Sequence, residues 1–316
     1  MGLLFILLDL ELSIMSKHVK KSFSSDYYLG LCSILVAAFF WGTAGAAASF
    51  TKELQPIAIA TISVGIGGLI HTFLSLNAIR QNLSHLKQFK TKIALAVIVS
   101  ILCPLSFYSS VAMAGVSIGT VLAIGCAPLF SVLLEWGIDK HKFSLKWLIS
   151  FILGLTGVIL LSHTGSIGHE DNSLQAERII GIFFGLLSSF SYASYSWIMK
   201  NLIGQGVDSR AAMGFIFGIS AVLVLPTLFI TGKNLFTYPE NIMVAIYIPL
   251  VPMFLGYLFF SFGLKRIPAS QAMTLALVEI PVATLLAVFL VGEILTYTSY
   301  LGLFLIFLCV IVLSRK

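Results

Sequence analysis

Residues 267–293 read IPASQAMTLALVEIPVATLLAVFLVGE, an apolar stretch long enough to cross a bilayer that nevertheless holds an acid and a proline near its middle. A charged side chain at mid-bilayer costs about 2.5–3.5 kcal/mol on insertion scales, so Glu279 is expected to face a bundle interior, a partner or a water-filled cavity. Pro281 removes a helical N–H group and frees a carbonyl one turn earlier, which lipid cannot satisfy. Together they predict a kinked helix beside a polar cavity. The alternative is a packing kink with Glu279 neutral in a small hydrogen-bond network.

The composition excludes an ordinary soluble globular protein. Hydrophobic residues make up 58% of the 316 residues and charged residues 10%, with a mean hydropathy of +1.01. Soluble domains carry a charged share of about 25%. The net charge of +6 therefore relates to membrane topology and does not predict a nucleic-acid partner. The four cysteines all lie in apolar runs without a CxxC pair, so the sequence predicts no disulfide framework, no metal site and no cofactor.

Ten apolar windows come close to the roughly 20 residues that a transmembrane helix needs. They are residues 28–49, 57–77, 93–113, 116–135, 145–162, 179–199, 211–230, 242–263, 269–291 and 297–313. The expected fold class is an all-α polytopic membrane protein with ten transmembrane helices. Residues 1–27 precede the first window as a cytoplasmic leader, and the true start is either Met1 or Met15.

The distribution of basic residues sets the expected orientation. With the amino terminus placed in the cytoplasm, 16 of the 19 Lys and Arg residues fall in cytoplasmic segments. Only Lys52, Arg178 and Lys233 fall on the other side. This bias obeys the positive-inside rule, and an even number of spans returns the carboxyl terminus to the cytoplasm. We therefore expect an inner- or plasma-membrane protein with both termini cytoplasmic.

An internal repeat divides the chain at its longest polar connection. Aligning Gly30 with Gly181 gives an offset of 151 residues, and aligning Pro128 with Pro281 gives 153. Similar offsets over most of the chain indicate a tandem repeat, and five spans per copy force the two copies into opposite membrane orientations. Inverted repeats are a transporter architecture with a substrate site near mid-membrane. The predicted divisions are a leader (1–27), a first repeat (28–162), an external connecting loop (163–178) and a second repeat (179–316).

Polar and aromatic side chains predicted at membrane depth concentrate in eight of the ten spans, which leaves the fifth and tenth peripheral. A ring of eight helices around a cavity walled by aromatic and hydroxyl groups suits an organic solute better than an inorganic ion. The residues expected to bind substrate are Trp41, Tyr108, Tyr192, Tyr195, Tyr257, Gln271, Thr274 and Glu279. The residues expected to act as hinges, because proline interrupts helical hydrogen bonding, are Pro104, Pro128, Pro252 and Pro281.

Two further ionisable residues lie within or at the end of predicted spans. His71 is the only histidine in a predicted span, and it is either a proton-relay group or a side chain that snorkels to the cytoplasmic interface. Glu135 closes the fourth span beside Trp136 and Asp139, which predicts a solvated charge at the interface. The sequence holds no HExxH and no GxxxxGK[ST] motif, so we expect neither a metalloenzyme nor transport driven by ATP hydrolysis within this chain. The chain is expected not to be an enzyme.

Three segments together resemble one known family. Residues 256–295 read GYLFFSFGLKRIPASQAMTLALVEIPVATLLAVFLVGEIL, with a tyrosine in the first helix, a short basic turn, an acid and proline, and a closing Gly-Glu pair. Residues 107–130 follow the same outline in the first half, and residues 39–45 (FFWGTAG) carry a Trp-Gly pair in the first helix. Over about residues 28–316, the chain is similar to members of the EamA branch of the drug/metabolite transporter superfamily.

The chain departs from the family pattern at two places. Ile280 separates Glu279 from Pro281, whereas the acid and the proline are adjacent in many members. In the first half, Cys126 and Ala127 stand where the acid is expected. The resemblance implies two inverted five-helix repeats, a central cavity lined by helices one to four and six to nine, and usually export of amino acids or other small metabolites.

We therefore expect a secondary transporter that exports a small organic metabolite, an amino acid or a related compound, by alternating exposure of a central cavity. Glu279 is expected either to pair with a substrate amine or to carry a coupling proton. The partners are then a small-molecule substrate and the lipid bilayer, with the chain either a monomer or a homodimer. The alternatives are a passive facilitator and a membrane-embedded lipid enzyme or scramblase that uses the same cavity.

Overall fold

A computed structural model describes residues 23–48, 50–114, 119, 121–140, 142–162, 172–286, 289 and 297–314. Within these ranges the chain forms helices and turns and no β-strand. Most of the predicted leader and of the connecting loop lies outside the described residues, as does the closing Gly-Glu pair at 292–293. The prediction of an all-α fold is confirmed for the described part of the chain.

The helices are numbered α1 to α10 in chain order, and three of them contain an irregular or broken segment. Their bounds are α1 (Phe23–Ala48), α2 (Pro56–Gln88), α3 (Lys90–Ala114), α4 (Ala127–Gly137), α5 (Leu145–Ser162), α6 (Asn172–Gly204), α7 (Ser209–Val224, Leu225–Thr227 and Leu228–Thr231), α8 (Pro239–Ile248, Pro249–Gly256 and Tyr257–Leu264), α9 (Ala269–Ala276 and Glu279–Leu286) and α10 (Tyr297–Ser314). A π-helical turn, Val121–Gly125, precedes α4, and the middle segment of α8 is also π-helical.

Seven of the described helices, α1 to α3 and α6 to α9, are long and apolar enough to cross a membrane, and α4, α5 and α10 are shorter apolar helices. Large apolar side chains are exposed on several of them, such as Phe183 at 62%, Phe304 at 55% and Phe307 at 62%. Surfaces of this kind suit lipid tails better than water. The chain is therefore a multi-pass membrane protein, and the count of ten spans stays a prediction.

Two helices run beyond the apolar windows that predicted them. α2 continues to Gln88, although its window ends at residue 77, because no glycine or proline interrupts the chain there. α6 begins at Asn172, inside the predicted connecting loop. Hydropathy marks where side chains become polar, whereas a helix ends only where its backbone bonding is interrupted. Both helices therefore extend past the predicted membrane windows.

Eight helices pack as a closed ring. Each contacts its neighbours in the order α9, α1, α8, α2, α7, α3, α6, α4 and back to α9. α5 and α10 pack against each other and against α9, and α5 also contacts the turn Val121–Gly125 before α4. This is the arrangement that the polar side chains predicted, with the fifth and tenth helices peripheral.

Small residues let α2 and α7 approach closely. Thr72 Oγ1 donates a hydrogen bond of 2.8 Å to the Gly214 carbonyl, and a Cβ on Gly214 would lie 2.7 Å from Ser75 Cβ. Further along the pair, Thr61 and Thr227 share a hydrogen bond of 3.1 Å between their hydroxyls. Residue numbers therefore rise along α2 in the direction in which they fall along α7. The two helices run antiparallel, with backbones held close as small residues allow in membranes.

The beginning of α1 and the end of α10 lie at the same end of the ring. The Tyr27 hydroxyl donates a hydrogen bond of 3.1 Å to the Leu313 carbonyl. We call this end the termini face. Near it the ring is packed solid, since Ile34, Leu264 and Leu202 from three different helices are each 0% exposed.

Replacing Gly214 with alanine tests the close contact of α2 and α7. Gly214→Ala should lower stability by about 1–3 kcal/mol, because the new methyl group overpacks the contact with Ser75 and the His71 carbonyl. Gly45→Ala is the matched control, since a Cβ there meets no described atom within 4 Å. That change should be neutral or stabilising by about 1 kcal/mol, because alanine is the better helix former. Thermal unfolding in detergent measures both, and equal effects of the two substitutions would contradict the packing described.

Candidate functional site

A cavity of about 190 Å³ lies inside the ring of eight helices. Helices α1 to α3 and α6 to α9 all contribute to its wall, together with the π-helical turn before α4. It starts at the level of Trp41 and Tyr192 and extends to Ala44 and Ser63, away from the termini face. Of the predicted substrate-binding residues, the structure brings together Trp41, Tyr108, Tyr192, Tyr257 and Glu279 at this cavity.

The backbone of α9 changes its hydrogen bonding at the junction between its two segments. The amides of Leu277, Val278 and Ile280 each donate to the carbonyl three residues back, at 3.4, 3.2 and 3.2 Å. The usual helical spacing resumes where the Val282 amide donates to the Val278 carbonyl at 3.2 Å. Pro281 has no amide hydrogen, so the Leu277 carbonyl cannot form its normal helical bond and accepts from Ile280 instead. The proline therefore explains why the helix is interrupted here.

Glu279 opens the second segment of α9, and its half-buried side chain lines the cavity. Among the described residues, no hydrogen bond or ion pair reaches its carboxyl group. Helix α1 fits tightly at this point, since a Cβ on Gly42 would lie 2.6 Å from both the Glu279 carbonyl oxygen and Val282 Cβ. The acid thus stands at a cavity, and the described part of the chain holds no hydrogen-bond network around it.

An aromatic cluster separates the cavity from the termini face. The Trp41 ring makes edge contacts with Tyr257 and Tyr192 at centroid distances of 5.1 and 5.8 Å, and it lies 5.0 Å from the Phe260 ring. The indole rests on Gly256, where a Cβ would lie 2.6 Å from Trp41 Nε1. Only glycine lets the π-helical segment of α8 come this close to α1, and no motif in the sequence indicated that requirement.

Three predicted substrate-binding residues, Tyr195, Gln271 and Thr274, do not line the cavity. Tyr195 is 3% exposed and lies behind the aromatic cluster. Gln271 Oε1 accepts a hydrogen bond from the Tyr27 hydroxyl at 3.4 Å, and Thr274 Oγ1 accepts one from Trp147 Nε1 at 3.1 Å. The helix breaks between these two residues and Glu279, and the three side chains do not share one face of α9.

The cavity wall also contains residues that sequence reasoning missed. The Ser188 hydroxyl on α6 donates a hydrogen bond of 2.9 Å to the Cys103 carbonyl on α3, and Ser100 shares a 2.8 Å bond with Ser220. Serine and cysteine recur throughout the spans, so only the rotation of each helix reveals which of them face inward. The apolar part of the wall includes Phe107, Phe217, Ile248 and Met253.

The four predicted hinge prolines lie at or near the cavity. Pro281 follows the break in α9, Pro252 lies within the π-helical segment of α8, and Pro128 lies in the first turn of α4, just after its π-helical turn. Pro104 stands inside a continuous α3, and both it and Pro252 line the cavity. Single π-helical turns often mark functional sites. The hinge role of these prolines stays a prediction.

Hydrogen bonds between the two halves of the chain close the termini face. Glu135 on α4 accepts bonds from the Ser270 amide at 3.0 Å and hydroxyl at 2.6 Å, in the first turn of α9. Lys92 on α3 donates to Asn201 and Gln205 at the end of α6. A carboxylate is favoured at a helix amino terminus, because the free amides and the helix dipole are both positive there. The prediction that Glu135 is only a solvated interface charge is therefore wrong.

His71 lies behind the cavity wall. Its ring is 1% exposed, its Nε2 donates a hydrogen bond of 3.2 Å to the Met253 carbonyl, and it stacks on Phe217 at a centroid distance of 5.5 Å. The alternative that this histidine snorkels to the interface is wrong, because the side chain is enclosed between α7 and α8. Its role as a proton relay stays a prediction.

These features define a class: a multi-pass helical membrane protein whose central cavity is closed at one face and has an acid on its wall. Residues 28–163 and 179–315 match the sequence profile of the EamA-like transporter family. The chain belongs to the EamA-like transporter family, and it is a membrane transporter. The resemblance inferred from three sequence segments is confirmed.

Relatives extend over nearly the whole chain. The uncharacterized transporter YwfM of Bacillus subtilis is 34% identical over 287 residues, covering 89% of this chain and 92% of that protein. The uncharacterized inner membrane transporter YicL of Salmonella typhimurium is 22% identical over 293 residues, covering 90% and 95%. A solved crystal structure superposes with a TM-score of 0.75 over 92% of this chain and 96% of its own, at 17% identity, which shows a shared fold.

Removing the charge of Glu135 tests the closure of the termini face. In a cysteine-free background carrying Ala44→Cys in the cavity wall, an impermeant thiol reagent should label mainly from the membrane side opposite the termini face. Glu135→Gln should shift the ratio of labelling rates from the two sides about tenfold toward the termini face, because it loses a charge-assisted bond worth roughly 1.5–3 kcal/mol.

Two further variants make this test specific. Ser270→Ala should shift the labelling ratio in the same direction, because it removes the hydroxyl donor of the same contact. Glu177→Gln makes the identical chemical change at an exposed position and should leave the ratio unchanged. If both Glu135→Gln and Ser270→Ala behave like Glu177→Gln, the contact does not hold the termini face closed.

Proposed function

We propose that this transporter exports a small organic metabolite, such as an amino acid or a related compound, across the cytoplasmic membrane by alternating access. The observation that carries the proposal is the position of Glu279. Its carboxyl group, without a partner among the described residues, stands at a cavity that is closed toward the termini face. A binding group near mid-membrane that is reached from one face at a time is what alternating access requires.

The packing order of the helices supports two copies of a five-helix repeat. Exchanging α1 with α6, α2 with α7, α3 with α8, α4 with α9 and α5 with α10 converts every neighbouring pair of the ring into a neighbouring pair, and it converts the α2–α7 and α4–α9 pairs into themselves. The double match to the family profile, once in each half, supports the same division. The two predicted repeats would therefore contribute equivalent helices to opposite sides of the cavity.

The antiparallel course of α2 and α7 supports an inverted relation between the copies. A twofold axis running along the helices would leave equivalent helices parallel. Equivalent helices that run antiparallel instead require an axis perpendicular to them, which in a membrane protein lies in the membrane plane. Such inverted repeats are a recurring architecture of secondary transporters.

Matching contacts at the two faces support the same relation. At the termini face, Lys92 at the start of α3 bonds Asn201 at the end of α6. At the opposite face, Lys52 after α1 forms a 2.6 Å ion pair with Glu240 at the start of α8, and its amide donates a 2.8 Å bond to Asn241 Oδ1. Exchange of the halves converts one contact into the other. We propose that each loosens in turn as the cavity changes the face to which it opens.

The excess of basic residues favours a cytoplasmic termini face, so the cavity described here would open toward the outside. In the proposed cycle, Glu279 either pairs with a substrate amine or carries a coupling proton. Both roles depend on the same property of the Glu279 carboxyl group. It is enclosed and has no partner among the described residues, so a cation or a proton that binds during the transport cycle stabilises it.

A passive facilitator and a lipid enzyme or scramblase remain the competing functions. A facilitator would share the cavity but would not respond to a proton gradient. Residues 115–119 read GVSIG, which fits the letters of the hydrolase pattern GxSxG. That motif works on a sharp turn between a strand and a helix, whereas these residues lie in an apolar window predicted as helix. The pattern therefore gives little support to a lipid hydrolase.

Replacing Glu279 tests the proposal directly. Glu279→Gln should abolish export or uncouple it from the proton gradient while leaving folding intact, because glutamine keeps the size of the side chain but neither pairs with a cation nor carries a proton. Solute counterflow in proteoliposomes, with and without a proton gradient, separates coupled transport, facilitation and lipid activity. Glu177→Gln is the matched control and should transport at the unaltered rate. Unchanged transport by Glu279→Gln would remove the acid from the mechanism.

A further inference from the structure

The described wall of the cavity contains an acidic side chain and no basic one. Among the described residues of its wall, Glu279 is the one carboxylic acid, and no lysine, arginine or histidine contributes. The nearest histidine, His71, lies behind the wall with its Nε2 bound to a backbone carbonyl. The described wall therefore offers a counter-charge to a cation and none to an anion.

The acid and the aromatic rings lie close together. Glu279, Tyr192 and Tyr257 line the same cavity. Both rings contact Trp41, which also lines the cavity. Aromatic faces attract cations through their negative π-electron density, and tryptophan does so most strongly. An ammonium group bound here would meet a carboxylate and several aromatic rings together.

A carboxylate on the solute would have no equivalent partner. The polar groups of the described wall other than the acid are hydroxyls, a thiol and the Trp41 indole N–H, and none of them carries a positive charge. Ser100 and Ser188 already bond to protein atoms. Placing a carboxylate in such an enclosed apolar site costs desolvation that no cation repays, and Glu279 adds like-charge repulsion. The wall thus opposes the second charge of a zwitterionic amino acid while accepting its first.

We propose that the cavity selects organic amines that carry one positive charge and no carboxylate, on an apolar or aromatic body. This inference rests on the proposed transport function and narrows its substrate class from amino acids and related compounds to monocationic amines. The carboxylate of Glu279 binds the ammonium group, and the aromatic cluster with Trp41 binds the body of the solute.

A matched series of four compounds tests the proposal. 2-Phenylethylamine, phenylalanine, 3-phenylpropionate and 2-phenylethanol share the ring and the short chain but are a cation, a zwitterion, an anion and a neutral compound. Competition against radiolabelled 2-phenylethylamine on the purified full-length protein gives relative affinities. The amine should bind at least about tenfold more tightly than phenylalanine, because the unpaired carboxylate of phenylalanine lowers its affinity by about that factor. The binding of 3-phenylpropionate should be the weakest of the four.

Variants of Glu279 then test whether this acid causes the preference for the amine. Glu279→Gln should weaken the binding of 2-phenylethylamine about tenfold or more. The binding of 2-phenylethanol should not change, which also shows that the cavity is still folded. Glu279→Asp keeps the charge and should retain the preference for the amine over phenylalanine. Glu177→Gln should match the unaltered protein. Phenylalanine binding as tightly as the amine, or an amine preference that survives Glu279→Gln, would overturn the proposal.

Flux measurements on the same compounds separate this inference from the proposed function. Tight amine binding without flux in proteoliposomes supports the assigned site and counts against transport of this class. Phenylalanine flux equal to that of the amine supports the transport function and overturns the amine selectivity. Absence of binding by any of the four compounds overturns the amine selectivity as well, because the series covers the charge types that the wall distinguishes.

Discussion

The interrupted backbone of α9 is the constraint on which the rest of the structure depends. Inside a bilayer every backbone polar group must find a partner within the protein, so a helix can break at membrane depth only where other helices or a cavity enclose it. The ring of eight helices provides that enclosure. Gly42 allows α1 to pack directly against the break, and the Ile280 amide donates to the Leu277 carbonyl that Pro281 leaves free.

The interruption lies between two sets of polar residues on α9. Gln271 and Thr274, before the break, bond to Tyr27 and Trp147 near the termini face. Glu279, after the break, lines the cavity. The aromatic cluster around Trp41, on the termini-face side of the acid, and the Glu135 contact with α9 close one end of the cavity. The acid therefore faces a cavity and not a continuous pore.

The sequence was sufficient to predict the features that depend on hydropathy or on residues that are energetically unfavourable inside a bilayer. The apolar windows located each helix, and the acid beside a proline at membrane depth located the cavity, because both are tolerated in lipid only under specific conditions. The sequence was insufficient for features that depend on helix rotation. Ser100 and Ser188 face the cavity, whereas Tyr195 lies one layer behind it, and their residue types do not distinguish these positions. The Glu135 contact was missed because a charge at the end of a span is usually solvated, and its partner lies far away in sequence.

Alternating access, as proposed above, requires the two halves of the chain to move against each other and open the termini face. Spin labels at Ile138 and Lys265, two exposed positions at that face on opposite halves, report the separation directly by pulsed electron–electron double resonance. In proteoliposomes containing 2-phenylethylamine, we expect a second population with a longer distance that is absent or minor without the amine. One unchanged distance under both conditions, in protein shown to carry out counterflow, would contradict it.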